Sequence, residues 1–242
     1  VEHRALRVQP LPLLDAATCL MSGLAGVAPS ILSADFARLG EQVKSVEPYA
    51  DMIHVDVMDA HFVPPLTIGP VVVESLRPVT RLPLHCHLMV ERPEGLFDEL
   101  ADAGSDMVTF HVEAAPDPKV VIRRARDREM RVGVAVNPET DVDAVFAVLE
   151  DVDNVIVMTL ERTGWAGQPF KEASLAKIEA VRREIDRRGL AVDVEADGGI
   201  NVDTGRRCIE AGATVIAAAS SVFKSDDPAE AARRLAEAAR GD

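Results

Sequence analysis

Met52-Ile53-His54-Val55-Asp56-Val57-Met58-Asp59 reads as a short strand with one chemically loaded face. Alternate side chains of an extended segment share a face. His54, Asp56 and Met58 therefore point one way, and Val55 and Val57 the other. A strand of a helix-covered parallel sheet needs an apolar outer face, which the valines supply. The imidazole, the carboxylate and the thioether are then expected to face inward. A carboxylate is costly to bury unless it is paired or bound to a metal. Two readings follow, an internal salt link or a ligand site.

Working outward, one pattern repeats: a β-branched run, a polar turn, then a stretch of helical period. Strands are expected at Val27–Leu32, Met52–Met58, Leu82–Met89, Met107–Val112, Arg131–Val136, Asn154–Thr159, Ala191–Glu195 and Thr214–Ala218. Helices are expected near 36–48, 70–78, 94–103, 117–129, 141–149, 172–188, 202–211 and 227–240. Pro93, Pro118 and Pro228 suit first turns, Asp141 and Asp203 suit helix starts, and Gly104, Gly189 and Gly212 suit helix stops. Strict alternation implies a parallel sheet with helices outside. The economical closure is a single-domain α/β protein, a (β/α)8 TIM barrel, whose usual size of ~250 residues fits a chain of 242. An open doubly wound sheet would show a glycine-rich loop after its first strand. Here that stretch is Pro29-Ser30-Ile31-Leu32-Ser33.

The barrel is assigned to residues 25–242 and an N-terminal extension to residues 1–24. The extension has no clear period and carries Pro10 and Pro12. Residues 16–28 are small and apolar, yet Asp15 and a thin basic region before them argue against a secretory signal. Met21 is the candidate initiator.

Composition narrows the function. Apolar residues are 48% and charged residues 27%, as in a globular domain, and with aromatics at 4% the core must be Val, Leu, Ile and Ala. Forty acidic against 26 basic residues give a charge of −14, which disfavours nucleic acid or an anionic membrane as partner. A small phosphorylated ligand stays compatible, because backbone amides bind anions whatever the net charge. Cys19, Cys86 and Cys208 form no CxxC pair, which suits a reducing, cytoplasmic setting. No apolar run reaches the ~18–20 residues of a membrane span.

Other strand ends add polar groups. In Leu84-His85-Cys86-His87-Leu88-Met89, residues 85, 87 and 89 share a face. His111 and Glu113 close the fourth strand, Met158 and Thr159 the sixth, and Asp197-Gly198-Gly199 follows the seventh. Strand C-termini form the catalytic face of such barrels, so these groups converge on one mouth. His54, Asp56, His87 and Asp197 make a plausible four-ligand set for one divalent ion, and two imidazoles with two carboxylates suit Zn, Fe(II), Mn or Co. Asp56 and Asp197 also read as a general acid/base pair on opposite faces of a carbon. Met58, Met89 and Met158 would give the site a water-excluding lining or simply fill core. Gly164-Trp165-Ala166-Gly167, Gly198-Gly199 and Ala219-Ser220 follow the last three strands and suit a phosphate.

Taken together, these segments resemble the ribulose-phosphate 3-epimerase family from about Val27 to Pro228. The resemblance rests on Pro29-Ser30-Ile31-Leu32-Ser33-Ala34-Asp35-Phe36, His54-Val55-Asp56-Val57-Met58-Asp59, Phe62-Val63-Pro64, Thr67-Ile68-Gly69-Pro70, His87-Leu88-Met89-Val90 and Asp197-Gly198-Gly199-Ile200. It implies a ribulose-phosphate-binding barrel that interconverts ribulose 5-phosphate and xylulose 5-phosphate in the pentose phosphate pathway. It implies one divalent metal on His54, Asp56, His87 and Asp197, with Asp56 and Asp197 moving protons at carbon 3 through a metal-stabilised enediolate. Ser30, Met58, His87, Met89 and Met158 would meet the substrate. Gly164, Trp165, Ala166, Gly167, Gly198, Gly199, Ala219 and Ser220 would supply the substrate and phosphate loops. A homo-oligomer is also implied.

Some positions depart from the family pattern. The loop Glu161-Arg162-Thr163-Gly164-Trp165-Ala166-Gly167-Gln168 is one residue longer than usual and lacks its proline. Arg162 is expected to add a cation near the substrate. Ala219 and Ala60 replace glycines, Pro65 an asparagine and His85 an acidic residue. Another ketose phosphate, such as a hexulose 6-phosphate, is the nearest alternative substrate. A related sugar-phosphate decarboxylase or aldolase would carry an Asp-x-Lys-x-x-Asp motif, but no lysine lies between Lys44 and Lys119. A barrel that only binds ligand would have lost a catalytic carboxylate, and both are present.

Overall fold

The computed structural model describes residues 25–241; the extension, Cys19 and Met21 lie outside them. Eight strands run β1 Gly26–Pro29, β2 Ile53–Met58, β3 Leu84–Met89, β4 Met107–His111, β5 Arg131–Val136, β6 Asn154–Met158, β7 Asp193–Asp197 and β8 Val215–Ala218. Every neighbouring pair is parallel, in the order β1-β8-β7-β6-β5-β4-β3-β2. A parallel bridge from Ser30 to His54 joins the two ends of the sheet, which makes the fold a (β/α)8 barrel.

The helices are α1 Leu39–Val46, α2 Pro70–Leu76, α3 Phe97–Ala103, α4 Pro118–Arg126, α5 Asp143–Phe146, α6 Ser174–Arg188, α7 Val202–Glu210, α8 Ser220–Phe223 and α9 Pro228–Arg240. Their apolar stripes meet the outward valines: Val55, Val57, Val108, Val132, Val134 and Val194 are buried in one continuous core with Val43, Leu100, Ile122, Ile178 and Leu235. Asp117 and Asp227 cap α4 and α9 ahead of their first-turn prolines. Gly104 and Gly189 end α3 and α6 in the left-handed conformation.

Several boundaries differ from the sequence reading. Strand β1 stops at Pro29, because Ser30 accepts the amide of Leu32 and turns Ile31–Ser33 into a 3-10 helix. Strand β7 begins and ends two residues later than expected, so Asp197 is its last residue. The helix expected at 141–149 is only one turn, α5, followed by a 3-10 turn. Asn201, not Asp203, caps α7, in a reciprocal box with Thr204. Pro93 opens a 3-10 turn ahead of α3. Helix α8, between β8 and the last long helix, was not expected.

The barrel interior is mixed. Small and apolar residues from β1, β8, β5 and β6 fill part of it: Ala28, Val215, Ala217, Ala135 and Ile156. Strands β2, β3, β4 and β7 fill the rest with buried polar groups: His54, Asp56, His85, His87, Thr109, His111 and Glu195. Gly133 in β5 makes this possible. A Cβ there would run into Thr109 Oγ1 and come within 2.9 Å of the Asn154 carbonyl oxygen. Gly133→Ala is expected to cost about 1–3 kcal/mol through overpacking, read as a lower urea midpoint. An unchanged midpoint would show that the layer has slack.

Candidate metal and proton-transfer site

Strand register sets the site. His54 pairs with His85, Asp56 with His87 and Met58 with Met89, so two strands present matching inward rows. Met158 pairs with Asp197 across β6 and β7. Both rows rise towards the C-terminal mouth, with His54 and His85 below, Asp56 and His87 next, and Met58 and Met89 above.

Ligand-capable atoms of His54, Asp56, His87 and Asp197 all lie within 4.8 Å of one another. His54 Nε2 is 3.3 Å from Asp56 Oδ1 and 3.8 Å from Asp197 Oδ2. His87 Nδ1 is 3.3 Å from Asp56 Oδ1 and 3.2 Å from Asp197 Oδ2. The four residues singled out from sequence are thus brought together from three strands.

Hydrogen-bond bookkeeping tests whether a cation fits. Glu195, wholly buried, lies with Oε1 2.9 Å from His54 Nδ1. A carboxylate only accepts, so His54 carries its proton on Nδ1 and can offer the Nε2 lone pair to the site. His87 Nε2 is engaged with His111 Nε2 at 2.9 Å. Its Nδ1 faces the two aspartates yet makes no hydrogen bond of acceptable geometry. A buried nitrogen left unpartnered between two carboxylates is suited to a shared cation. The donor set fits a divalent ion.

Charge reinforces this picture. Burial raises the pKa of Asp56, but the His54 and His87 imidazoles outweigh it and hold the carboxyl well below its ordinary range. Burial lowers the pKa of both histidines, but Asp56 and Glu195 raise that of His54 well above normal, and Asp197 and Asp56 raise that of His87. Without a metal, protons meet the same electrostatic demand. Ser30 Oγ donates to Asp56 Oδ2 at 2.5 Å and so fixes the second oxygen of that carboxylate.

A second group, His54, His85 and Glu195, lies one level deeper. Glu195 Oε2 accepts from Asn154 Nδ2 at 2.8 Å and lies 3.3 Å from His85 Nδ1, while His85 Nε2 meets Thr109 Oγ1 at 2.8 Å. Because His54 Nδ1 is already taken by Glu195, this group reads as a support for the upper site. Burial, ahead of the opposing pull of Glu195, lowers the pKa of His85.

A cavity opens directly above. Ser30, Met58, Met89, Met158, Gly164, Trp165, Ala166, Gly167, Gly198, Gly199, Ala219 and Ser220 all line it, together with Asp56 and Asp197. Leu32, Leu160, Ile200 and Ala217 are further walls. Of the residues expected to meet substrate, His87 alone is absent from the wall. Gly198 has φ +117°, and a Cβ there would sit 2.5 Å from the Leu160 side chain, so glycine is required. Ala219 has φ −102°, so the alanine there brings no left-handed strain. Ala60, in contrast, sits at φ 60°, where a glycine would be relaxed. Arg162 has an exposed side chain and does not line this cavity. What it shares is backbone, with Gln168 bonding both its N–H and its C=O and also the Trp165 carbonyl.

Glu195 is missed from sequence because the expected seventh strand ends at it, two residues short of the observed end. The signal was available, since Glu195 stands two residues before Asp197 and shares its face. In the sequence His111 and Glu113 read as strand-end groups without a role. Asn154 carried no signal beyond its place at the start of a strand.

Residues 26–223 match the model of the ribulose-phosphate 3 epimerase family. A ribulose-phosphate 3-epimerase of Bacillus subtilis is 46% identical over 203 residues, covering 83% of this chain and 93% of the relative. One of Mycobacterium tuberculosis is 45% identical over 218 residues, covering 89% and 94%. A chloroplastic ribulose-5-phosphate-3-epimerase of Arabidopsis thaliana is 43% identical over 212 residues, covering 86% and 75%. Among solved structures, KGPDC from Streptococcus mutans superposes with a TM-score of 0.71 at 19% identity, covering 90% and 98%. A 3-hexulose-6-phosphate synthase gives 0.69 at 21% identity, covering 88% and 99%. At that identity these two speak for the fold alone.

Proposed function

The chain belongs to the ribulose-phosphate 3-epimerase family and is an isomerase of the epimerase class; on that premise we propose that it inverts carbon 3 of D-ribulose 5-phosphate to give D-xylulose 5-phosphate. The single observation that carries this is the placement of Asp56 and Asp197 at the floor of one cavity, on separate strands. Asp56, held ionised by His54 and His87, is fit to take the carbon-3 proton from one face. The electrons of the broken C–H bond move into the adjacent carbonyl, leaving an enediolate. Asp197 returns a proton to the opposite face, forming the new C–H bond. The protonation of the pair is then exchanged and is reset by solvent or by the reverse turnover.

His54, Asp56, His87 and Asp197 would hold the divalent cation, with Zn, Fe(II), Mn and Co all suited to the donors. When bound, it supplies Lewis-acid stabilisation of the negative charge that proton removal creates. Ser30 keeps Asp56 oriented by bonding its second oxygen. Met58, Met89 and Met158, each 2% exposed, exclude water from the reacting carbons without offering a competing base. The backbone at Gly198-Gly199 and Ala219-Ser220 lines the same cavity and would receive the phosphate. A homo-oligomer and a cytoplasmic setting complete this reading. Leu66 and Val71, each 75% exposed, are apolar surface that a second copy could cover. Cys86 and Cys208 are free and buried, and among the described residues no helix is long and apolar enough to cross a membrane.

The decisive experiment follows ketose phosphates by NMR in deuterated water with enzyme and Fe(II) or Zn(II). The expected result is deuterium at carbon 3 together with xylulose 5-phosphate from ribulose 5-phosphate, abolished by a chelator. Turnover only of a hexulose 6-phosphate would replace the substrate while keeping the chemistry. No exchange from any ketose phosphate, with metal bound, would refute it.

A further inference from the structure

We propose that Glu113 is a positioning residue that acts through His111 to fix which nitrogen His87 offers to the cation; this rests on the assignment of His54, Asp56, His87 and Asp197 as the cation site. His111 is fully buried at the end of β4 and belongs to neither metal-capable group. Its Nδ1 lies 3.2 Å from Glu113 Oε2, and its Nε2 lies 2.9 Å from His87 Nε2. The two rings differ in plane by 18°, with centroids 5.1 Å apart, so the nitrogens meet edge on.

The protons along this row have one arrangement compatible with a cation. A carboxylate accepts only, so His111 carries hydrogen on Nδ1. To bind a cation, His87 must present a lone pair at Nδ1, the atom that faces Asp56 and Asp197. Its own proton then sits on Nε2 and donates to His111 Nε2, which must be a lone pair. Without the Glu113 acceptor, His111 is free to move its hydrogen to Nε2. Two N–H groups would then oppose each other across 2.9 Å. The relief is to shift the His87 proton to Nδ1, which blocks the cation-facing atom.

Glu113 is itself held. Its Oε1 accepts the Asn137 amide at 2.8 Å, on the segment that follows β5. Asn137 Oδ1 in turn accepts from Thr163 Oγ1 at 2.5 Å, in the loop bearing Trp165. The Glu113 side chain, 22% exposed, is thus anchored through one oxygen while the other meets His111. Support of this kind typically changes metal affinity by about 10–100-fold when removed.

The test measures Zn(II) and Co(II) affinity by chelator competition for the parent, Glu113→Ala, Glu113→Gln and Thr163→Val. Glu113→Ala is expected to bind about 10–100-fold more weakly. Glu113→Gln offers one accepting oxygen for two donors, the Asn137 amide and His111 Nδ1; with that oxygen on the backbone amide its NH2 faces His111 Nδ1, so it should bind no better than Glu113→Ala. Thr163→Val breaks only the outer link and should leave it at the parental value. Nitrogen-15 NMR of histidine-labelled, Zn-loaded parent should show protons on His111 Nδ1 and His87 Nε2. That spectrum decides the case whether or not the alanine variant folds. A parent with its protons elsewhere, or a folded Glu113→Ala that binds cations at the parental value, would overturn the relay alone. A parent that takes up no cation would overturn the site assignment and the relay with it.

Discussion

Asp197→Asn is expected to lower the epimerisation rate by at least 10²–10⁴-fold, the usual contribution of a positioned acid or base. Asparagine has nearly the same shape, and an amide oxygen can still face the cation, but it neither takes nor gives a proton at neutral pH. Asp197 closes β7, with its side chain 14% exposed at the cavity floor, so the fold should survive. The two-face geometry makes a finer demand. Asp56 remains, so the epimer whose carbon-3 hydrogen faces Asp56 should still exchange with deuterium, while the other should not. NMR of both pentulose phosphates reads this directly, and elemental analysis separates loss of the base from loss of the metal. If both epimers still exchanged and interconverted at the parental rate, the assignment of two carboxylates to two faces would be wrong.

Glu195→Ala is expected to destabilise the metal-free protein by about 3–5 kcal/mol, because it breaks a buried charge network from one side. The carboxylate is wholly buried and serves His54, His85 and Asn154 at once. Burial raises its pKa, but His85 and His54 more than offset this and hold it well below the ordinary range. A depressed carboxylate stabilises the folded state above its unfolded pKa, near 4.5 here, and that stabilisation is lost as pH falls further. The penalty of Glu195→Ala should therefore be fully present at neutral pH and shrink in strong acid. Urea unfolding at the two pH values measures both parts. Glu195→Gln keeps an acceptor for His54 and should recover much of the loss. A change below about 1 kcal/mol at neutral pH would mean the network is tolerated rather than stabilising.

Much of the site was legible because a strand exposes its chemistry in alternation. His54-x-Asp56-x-Met58 and His85-x-His87-x-Met89 each announce one inward row, and valines fix which way the strand must turn. The four cation-capable residues and the cavity residues could be named on that basis and on the family resemblance. Elements marked by local side-chain chemistry were also legible, such as α4 and α9, where an aspartate cap precedes a first-turn proline. Less was visible where two local signals compete. Ser30 reads as strand by its neighbours, yet its hydroxyl captures a nearby amide and turns the chain. The 141–149 stretch reads as a helix by period, yet α5 closes after four residues.

The eightfold alternation, the inward face of each strand and the chemistry of the groups at its end were written in the chain. Each depends on residues a few positions apart and on the period of the backbone. Partnership was settled elsewhere, by parallel register between strands far apart in sequence. Register sets His54 level with His85 and brings Glu195 to His54 across 141 residues. It likewise sets His87 against His111, a contact that neither strand's own pattern announces. Side-chain period is local, whereas the stagger of a closed barrel is a property of all eight strands together. For that reason the ligands were readable one by one, and the hydrogen bonds that aim them were not.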